Sequence, residues 1–280
     1  MKELDINKLK SIQLDILKSF IEICKNNNLQ YFLVGGTCLG AVRHNGFIPW
    51  DDDIDVGMPR EDYERFSQIC NDQLPSHLFF QTFETDPEYP NTFGKIRNSN
   101  TTYVETSVKD LKINHGVYID VFPLDGVSGN KLVRKIDNAK KNAYNISISR
   151  VFTAGVPKYE SVLKNTLVKL ICCACPNVKK TIKKREKLFR KYSYSNSLIV
   201  SNFGGAWGEK ETMPKSIFGE GVTAFFENVE VIIPQKYDEY LTRLYGDYMT
   251  PPPPEKRIGH HYYEIADFEK SYIDTWNQNN

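Results

Sequence analysis

The chain has 280 residues, with 36 Lys/Arg against 35 Asp/Glu, 40% apolar and 25% charged residues. This is the composition of a globular protein long enough to bury a full core, and it excludes a disordered, fibrous or collagen-like chain. No run approaches the ~20 apolar residues of a membrane span, and the charged start MKELDINKLK lacks the apolar stretch of a secretory leader, so a cytoplasmic protein is expected.

The near-zero net charge hides an asymmetry. Residues 1–126 hold 12 Lys/Arg against 19 Asp/Glu, residues 127–200 hold 17 against 3, and residues 201–280 hold 7 against 13. A basic middle of net +14 between two acidic flanks predicts a surface that meets something anionic. The same boundaries divide the chain into an acidic N-terminal part (1–126), a basic helical segment (127–200) and an acidic C-terminal part (201–280). The six cysteines have no secretory context and are read as reduced thiols, some of them in the core.

Apolar residues at Ile12, Ile16, Leu17, Phe20 and Ile23 predict a first helix over about 6–26, ending at Asn26-Asn27-Asn28. Tyr31 to Val34 reads as a short strand that stops at Gly35-Gly36, and a helix follows from Thr37. Asp53-Ile54-Asp55-Val56 alternates as a strand with acids on one face. Arg60 to Cys70 is helical. Strands are predicted at 77–83, at 93–98 and at 116–122, the last ended by Pro123 and a turn at Leu124-Asp125-Gly126. From Lys131 to about Tyr192 the pattern is helical and basic. Phe225 to Pro234 returns to strand character, Tyr237 to Tyr245 is a short helix closed by Gly246, and Pro251 to Pro254 is extended.

Four features carry chemistry. Asp53 and Asp55, one residue apart, point the same way on a strand, and two carboxylates held so close call for a cation between them. Oxygen-only donors suit Mg²⁺ or Mn²⁺, which also bind phosphate oxygens. Gly35-Gly36-Thr37, between a strand and a helix, offers backbone N–H groups and a hydroxyl to a phosphate; it is neither a Walker loop nor a GxGxxG turn. Asp120, a lone acid in an apolar strand, is the candidate third ligand or general base. Lys95 and Arg97, at period two on one strand, are candidate diphosphate contacts. A surface acidic loop and a surface basic pair are the ordinary alternatives.

GGTCLGAVRHNGFIPWDDDIDVGMPREDYERF (35–66) resembles the signature of the LicD-type phosphocholine transferases, members of the nucleotidyltransferase superfamily. FGKIRNSNTTYVE (93–105), HGVYIDVFPLDG (115–126) and the C-terminal IIPQKYDEYLTRLYGDYMTPPP with a following histidine extend the resemblance over most of the chain. It is weakest across 127–200. The resemblance implies an α+β (mixed α/β) fold, with a polymerase-beta-like nucleotidyltransferase sheet, packed helices and a basic helical insertion (127–200), in which residues 1–126 form the catalytic core and residues 201–280 complete the core and its cleft. It implies that Asp53, Asp55 and Asp120 are catalytic and hold the metal, and that Gly36, Thr37, Arg43, Lys95 and Arg97 bind nucleotide or phosphate. Cys38 departs from the aliphatic residue usual there.

By the same resemblance, the chain takes a CDP-activated alcohol such as CDP-choline. It passes the phospho-alcohol to a sugar hydroxyl of a cell-surface glycan, a teichoic acid, lipopolysaccharide or capsule precursor, with Mg²⁺ or Mn²⁺. The alternative is a true nucleotidyltransferase that moves NMP from an NTP to a sugar, small molecule or protein. The apolar stretch Leu167–Cys175 next to the basic Lys179–Lys191 is the candidate for peripheral contact with the inner face of a membrane carrying a lipid-linked acceptor. No nucleic-acid-binding motif accompanies the charge, so no nucleic acid partner is expected.

Overall fold

The computed structural model describes residues 4–257, 259 and 262–279, the last four by their backbone alone. The histidine expected after the proline run, within 260–261, lies outside the described residues.

Helix α1 (Ile6–Asn26) forms as its periodicity predicts: Leu9, Ile16, Leu17, Phe20, Ile23 and Cys24 are buried on one face. Asp5 caps its start by accepting from the Lys8 N–H. Next come β1 (Phe32–Leu33), α2 (Gly35–His44), β2 (Asp55–Pro59), α3 (Arg60–Gln73), β3 (Leu78–Gln81), β4 (Gly94–Asn98), β5 (Thr102–Glu105) and the long β6 (Val117–Val127). The basic segment then forms α4 (Lys131–Ile148), α5 (Val162–Ala174) and α6 (Val178–Phe189). The chain returns through β7 (Ile199–Asn202), β8 (Thr212–Pro214), β9 (Val222–Phe226), β10 (Val229–Ile233), α7 (Tyr237–Tyr245), β11 (Tyr263–Asp267) and α8 (Tyr272–Asn279).

The central sheet is mixed, in the order β1-β2-β6-β4-β3, with β7 also on β6 and β8 on β7. Only β2 and β6 run parallel among its pairs. Register sets the two faces. Phe80, Ile96 and Ile119 lie side by side, and Phe80 meets the edge of Phe66 from α3, which in turn touches Phe20 of α1. One residue further along each strand, Gln81, Lys95 and Asp120 share a row with Asp55 on the opposite face. The helices α1 and α3 thus cover the apolar face, and the polar row belongs to the other.

Three expectations are corrected. Pro123 does not end β6. The Asp120 N–H bonds to Ile54 on the β2 side, so by alternation the Pro123 nitrogen faces the opposite edge. There β4 has stopped at Val121 and β7 begins at Leu124, so the missing donor falls in the gap between two partners. Phe225 to Pro234 is not one strand but the β9–β10 hairpin. Its two turn residues, Glu227 and Asn228, both adopt left-handed backbone (φ 48° and 64°), the geometry of a tight type I′ turn. The Asp-rich strand starts at Asp55, so Asp53 belongs to the loop before it.

The helical segment is fastened to the sheet by buried charge. Arg60 at the start of α3 makes a bidentate pair with Asp125 of β6 (2.7 and 2.8 Å) and a third bond to Glu186 of α6 (2.9 Å). Arg60 is 4% exposed and Asp125 not at all. Burial pushes the Asp125 carboxyl up to about 6 in spite of the arginine.

Candidate active site

A cleft of about 640 Å³ opens on the polar side of the sheet, between α2, the Trp50–Asp53 loop, the 202–207 loop and α7. Its acidic floor comes from two places. Asp55 and Asp120 are direct neighbours across the β2–β6 ladder. Asp51, Asp52 and Asp53 cluster before β2, with one carboxylate oxygen from each within 4.8 Å of the others. Asp51, Asp53, Asp55 and Asp120 all line the cleft. Burial, then the carboxylates of Asp53, Asp120 and Asp51, push the Asp55 carboxyl well above its ordinary value, and Lys95 partly opposes them. The sequence grouped Asp53, Asp55 and Asp120; the structure adds Asp51 on the same floor.

The loop that carries these acids is pinned from below. Gln13 of α1 donates to the Asp52 carbonyl (2.9 Å) and to the Tyr118 carbonyl (3.3 Å), tying the loop to β6. The glycine turn shapes the cleft wall. Gly35 has φ +56° and donates its N–H to the buried Tyr240 hydroxyl (2.9 Å). Gly36 lies directly under Asp51: a side-chain carbon there would stand 2.7 Å from Asp51 Oδ2. The positive end of α2 therefore faces the acidic cluster. Thr37 is buried and accepts from the Asp55 N–H through its hydroxyl (2.8 Å). It sits behind the first carboxylate of β2 and does not line the cleft.

The basic pair divides in the same way. Lys95 reaches Asp120 Oδ1 at 2.8 Å and sits 3.3 Å from the Tyr118 ring centre. Arg97 is fully buried one row away. It donates to Gln81, to the Gly116 carbonyl and to Glu105 (2.7, 2.9 and 2.9 Å). Glu105 of β5 joins the two cations, standing 3.4 Å from Lys95 and accepting from the Tyr118 hydroxyl at 2.9 Å. Arg97, Glu105, Lys95 and Asp120 thus form a continuous ionic chain inside the protein. Arg97 is expended on that chain and does not face the cleft. Arg43 does line it, donating to the Tyr248 carbonyl and to His44. Lys256 lines the same rim, and Arg257 lies 5.3 Å over Trp50.

The far wall was not visible from sequence. Trp207 and Tyr245 meet edge to face at 4.8 Å, and Glu211 lies beside them, 4% exposed. Burial raises the Glu211 carboxyl to about 7, against one stabilising bond from the Trp207 N–H. Trp207 and Glu211 carry no motif; Tyr245 lies in the C-terminal 232–253 stretch, but nothing there tied it to the cleft. Glu105 did have a signal, as the last residue of the 93–105 stretch. The donors on the floor are all carboxylate oxygens, which fits a hard divalent cation such as Mg²⁺ or Mn²⁺.

Residues 28–152 match the family described as LicD/FKTN/FKRP, nucleotidyltransferase domain. The chain is similar along nearly its whole length to the lipopolysaccharide cholinephosphotransferase LicD of Haemophilus influenzae: 32% identical over 272 residues, 94% of this chain and 98% of that protein. It is 28% identical over 89 residues to the human ribitol 5-phosphate transferase FKRP, covering 32% of this chain and 18% of that one. An uncharacterized protein of Rickettsia typhi is 43% identical over 70 residues, 25% and 23% of the two chains. The chain belongs to the LicD family.

Proposed function

We propose that this protein transfers phosphocholine, or a related phospho-alcohol, from a CDP-activated donor to a sugar hydroxyl of a cell-surface glycan. The observation that carries the reading is the cleft itself: an acidic floor, a glycine-turn wall and a cationic rim around one space large enough for a nucleotide-linked substrate. The relatives support it, since one is named a cholinephosphotransferase and another a ribitol 5-phosphate transferase. The mixed sheet and its acids accord with a nucleotidyltransferase-type core.

In this reading Asp53, Asp55 and Asp120, joined by Asp51, hold Mg²⁺ or Mn²⁺, which when bound would neutralise charge on the diphosphate and on the leaving CMP. The chain's own groups do the rest. Gly35 and Gly36 leave room for the diphosphate against the start of α2. Arg43 and Lys256 face its outer oxygens. The acceptor hydroxyl oxygen bonds to the distal phosphorus, the bond from that phosphorus to CMP breaks, and the hydroxyl proton passes to a floor carboxylate. Asp120, held in place by Lys95, is the candidate base. Arg97 is assigned a positioning role through Glu105. A cationic headgroup would meet ring edges and faces at Trp207 and Tyr245, with Glu211 behind them.

The test is product analysis. Purified protein, Mg²⁺, a glycan acceptor and a panel of CDP-alcohols and NTPs are incubated, and CMP and pyrophosphate are measured. CMP from a CDP-alcohol is expected. Pyrophosphate from an NTP would overturn the reading in favour of nucleotidyl transfer.

A further inference from the structure

The apolar stretch and the basic run of this segment fall on two helices that present different surfaces. Helix α6 turns Ile182, Arg185, Glu186 and Phe189 inward, so its apolar side is spent on packing. Helix α5 does the reverse. Val168 is its only buried side chain, while Leu163, Leu167 and Leu170 are 80%, 56% and 62% exposed. At 3.6 residues per turn these three and Ala174 fall within about 60° of arc. Lys164 and Lys169 stand on either side of that stripe, both exposed. A row of exposed leucines is costly in water and is not covered by any part of the described chain.

We infer that α5 lies flat on an anionic bilayer, with Leu163, Leu167 and Leu170 entering the boundary of the acyl chains and Lys164 and Lys169 reaching to lipid phosphates. The occupant follows from charge. The stripe sits within a segment of net +14, which a neutral or cationic partner would not match. Lysines on either side of an apolar stripe, here about 90° and about 130° from its middle, are how an interfacial helix keeps its charges among headgroups. At 13 residues α5 is far short of a span, and no helix among the described residues is long and apolar enough to cross a membrane. The inference is independent of the reaction assigned to the cleft.

The full chain is sedimented with vesicles of phosphatidylcholine alone and with vesicles in which about 30 mol% of it is replaced by the anionic phosphatidylglycerol. Expected is at least tenfold stronger partitioning onto the anionic vesicles, lost at high salt. The triple variant Leu163→Gln, Leu167→Gln, Leu170→Gln is expected to lose partitioning with an unchanged melting temperature, since all three side chains are solvent-facing. Lys164→Glu with Lys169→Glu is expected to weaken it in the same way. Equal recovery of the wild-type chain in the supernatant with both vesicles would overturn the inference. So would a doubled solution mass that the leucine variant abolishes, which would assign the face to a second copy of this chain.

Discussion

Glu211→Gln tests the cleft's far wall through stability alone. The Glu211 carboxyl is 4% exposed, and burial lifts it from an ordinary 4.5 to about 7. A carboxyl raised in the folded state stabilises fully below pH 4.5, where both states carry the proton. As pH rises toward 7 the unfolded chain releases its proton freely while the folded chain retains it. Stability then falls, until above pH 7 the group is charged and buried. The span between 4.5 and about 7 corresponds to about 3 kcal/mol. Glutamine has nearly the same shape, still accepts from the Trp207 N–H and never ionises. The variant's advantage over wild type is therefore expected to grow by about 2 to 3 kcal/mol between pH 5 and pH 8. Urea unfolding of both proteins at the two pH values measures it. Taking the difference at each pH cancels the other buried acids, Asp55 and Asp125 among them. An advantage that stays constant across that range would refute the buried, poorly compensated carboxylate.

Asp53→Ala is expected to fold as wild type and to lose turnover by roughly 10³-fold or more. Mg²⁺ is expected to raise the melting temperature of the wild-type chain and not that of this variant; an equal Mg²⁺ response in both would sink the ligand assignment. Gly36→Ala puts a carbon 2.7 Å from Asp51 Oδ2, so Asp51 must swing out of the floor. Activity is expected to fall at least about tenfold with little change in the unfolding midpoint, because a flexible carboxylate, not backbone, gives way. Arg60→Met strands the buried Asp125 without its cation, while Glu186 keeps Arg190 at 3.1 Å, and unfolding at pH 8 should become easier by about 3 to 5 kcal/mol. The loss should shrink at pH 5, where Asp125, already at about 6, takes up a proton. A loss independent of pH would mean that packing, not charge, fastens the helical segment.

Local pattern and short motifs carried much of this protein. The 3.6-residue spacing placed α1, and period-two alternation placed Lys95 with Arg97 and put Asp120 inside a strand. The glycine turn and the Asp-rich loop were legible because both ends of each contact lie close in the chain: Gly36 and Asp51 are brought together by one helix and one loop. Where the sequence misled, a distant partner decided the outcome. Pro123 reads as a stop until β4 and β7 leave a gap at its nitrogen. Arg97 reads like Lys95 until Glu105, Gln81 and the Gly116 carbonyl claim it.

What the sequence by itself determined is the inventory: the helices and strands of the first half except β5, the acids and the basic bias of residues 127–200. Tertiary structure alone decided which members of that inventory act together. Register across β2, β6 and β4 put Asp55, Asp120 and Lys95 in one row. Packing turned the apolar side of α6 inward and left that of α5 outward. The far wall of Trp207, Glu211 and Tyr245 exists only because the chain comes back to the sheet after α6. The physical reason is the same in each case. Periodicity records which side of an element is apolar, but the partner that meets each side is chosen by contacts far apart in the chain.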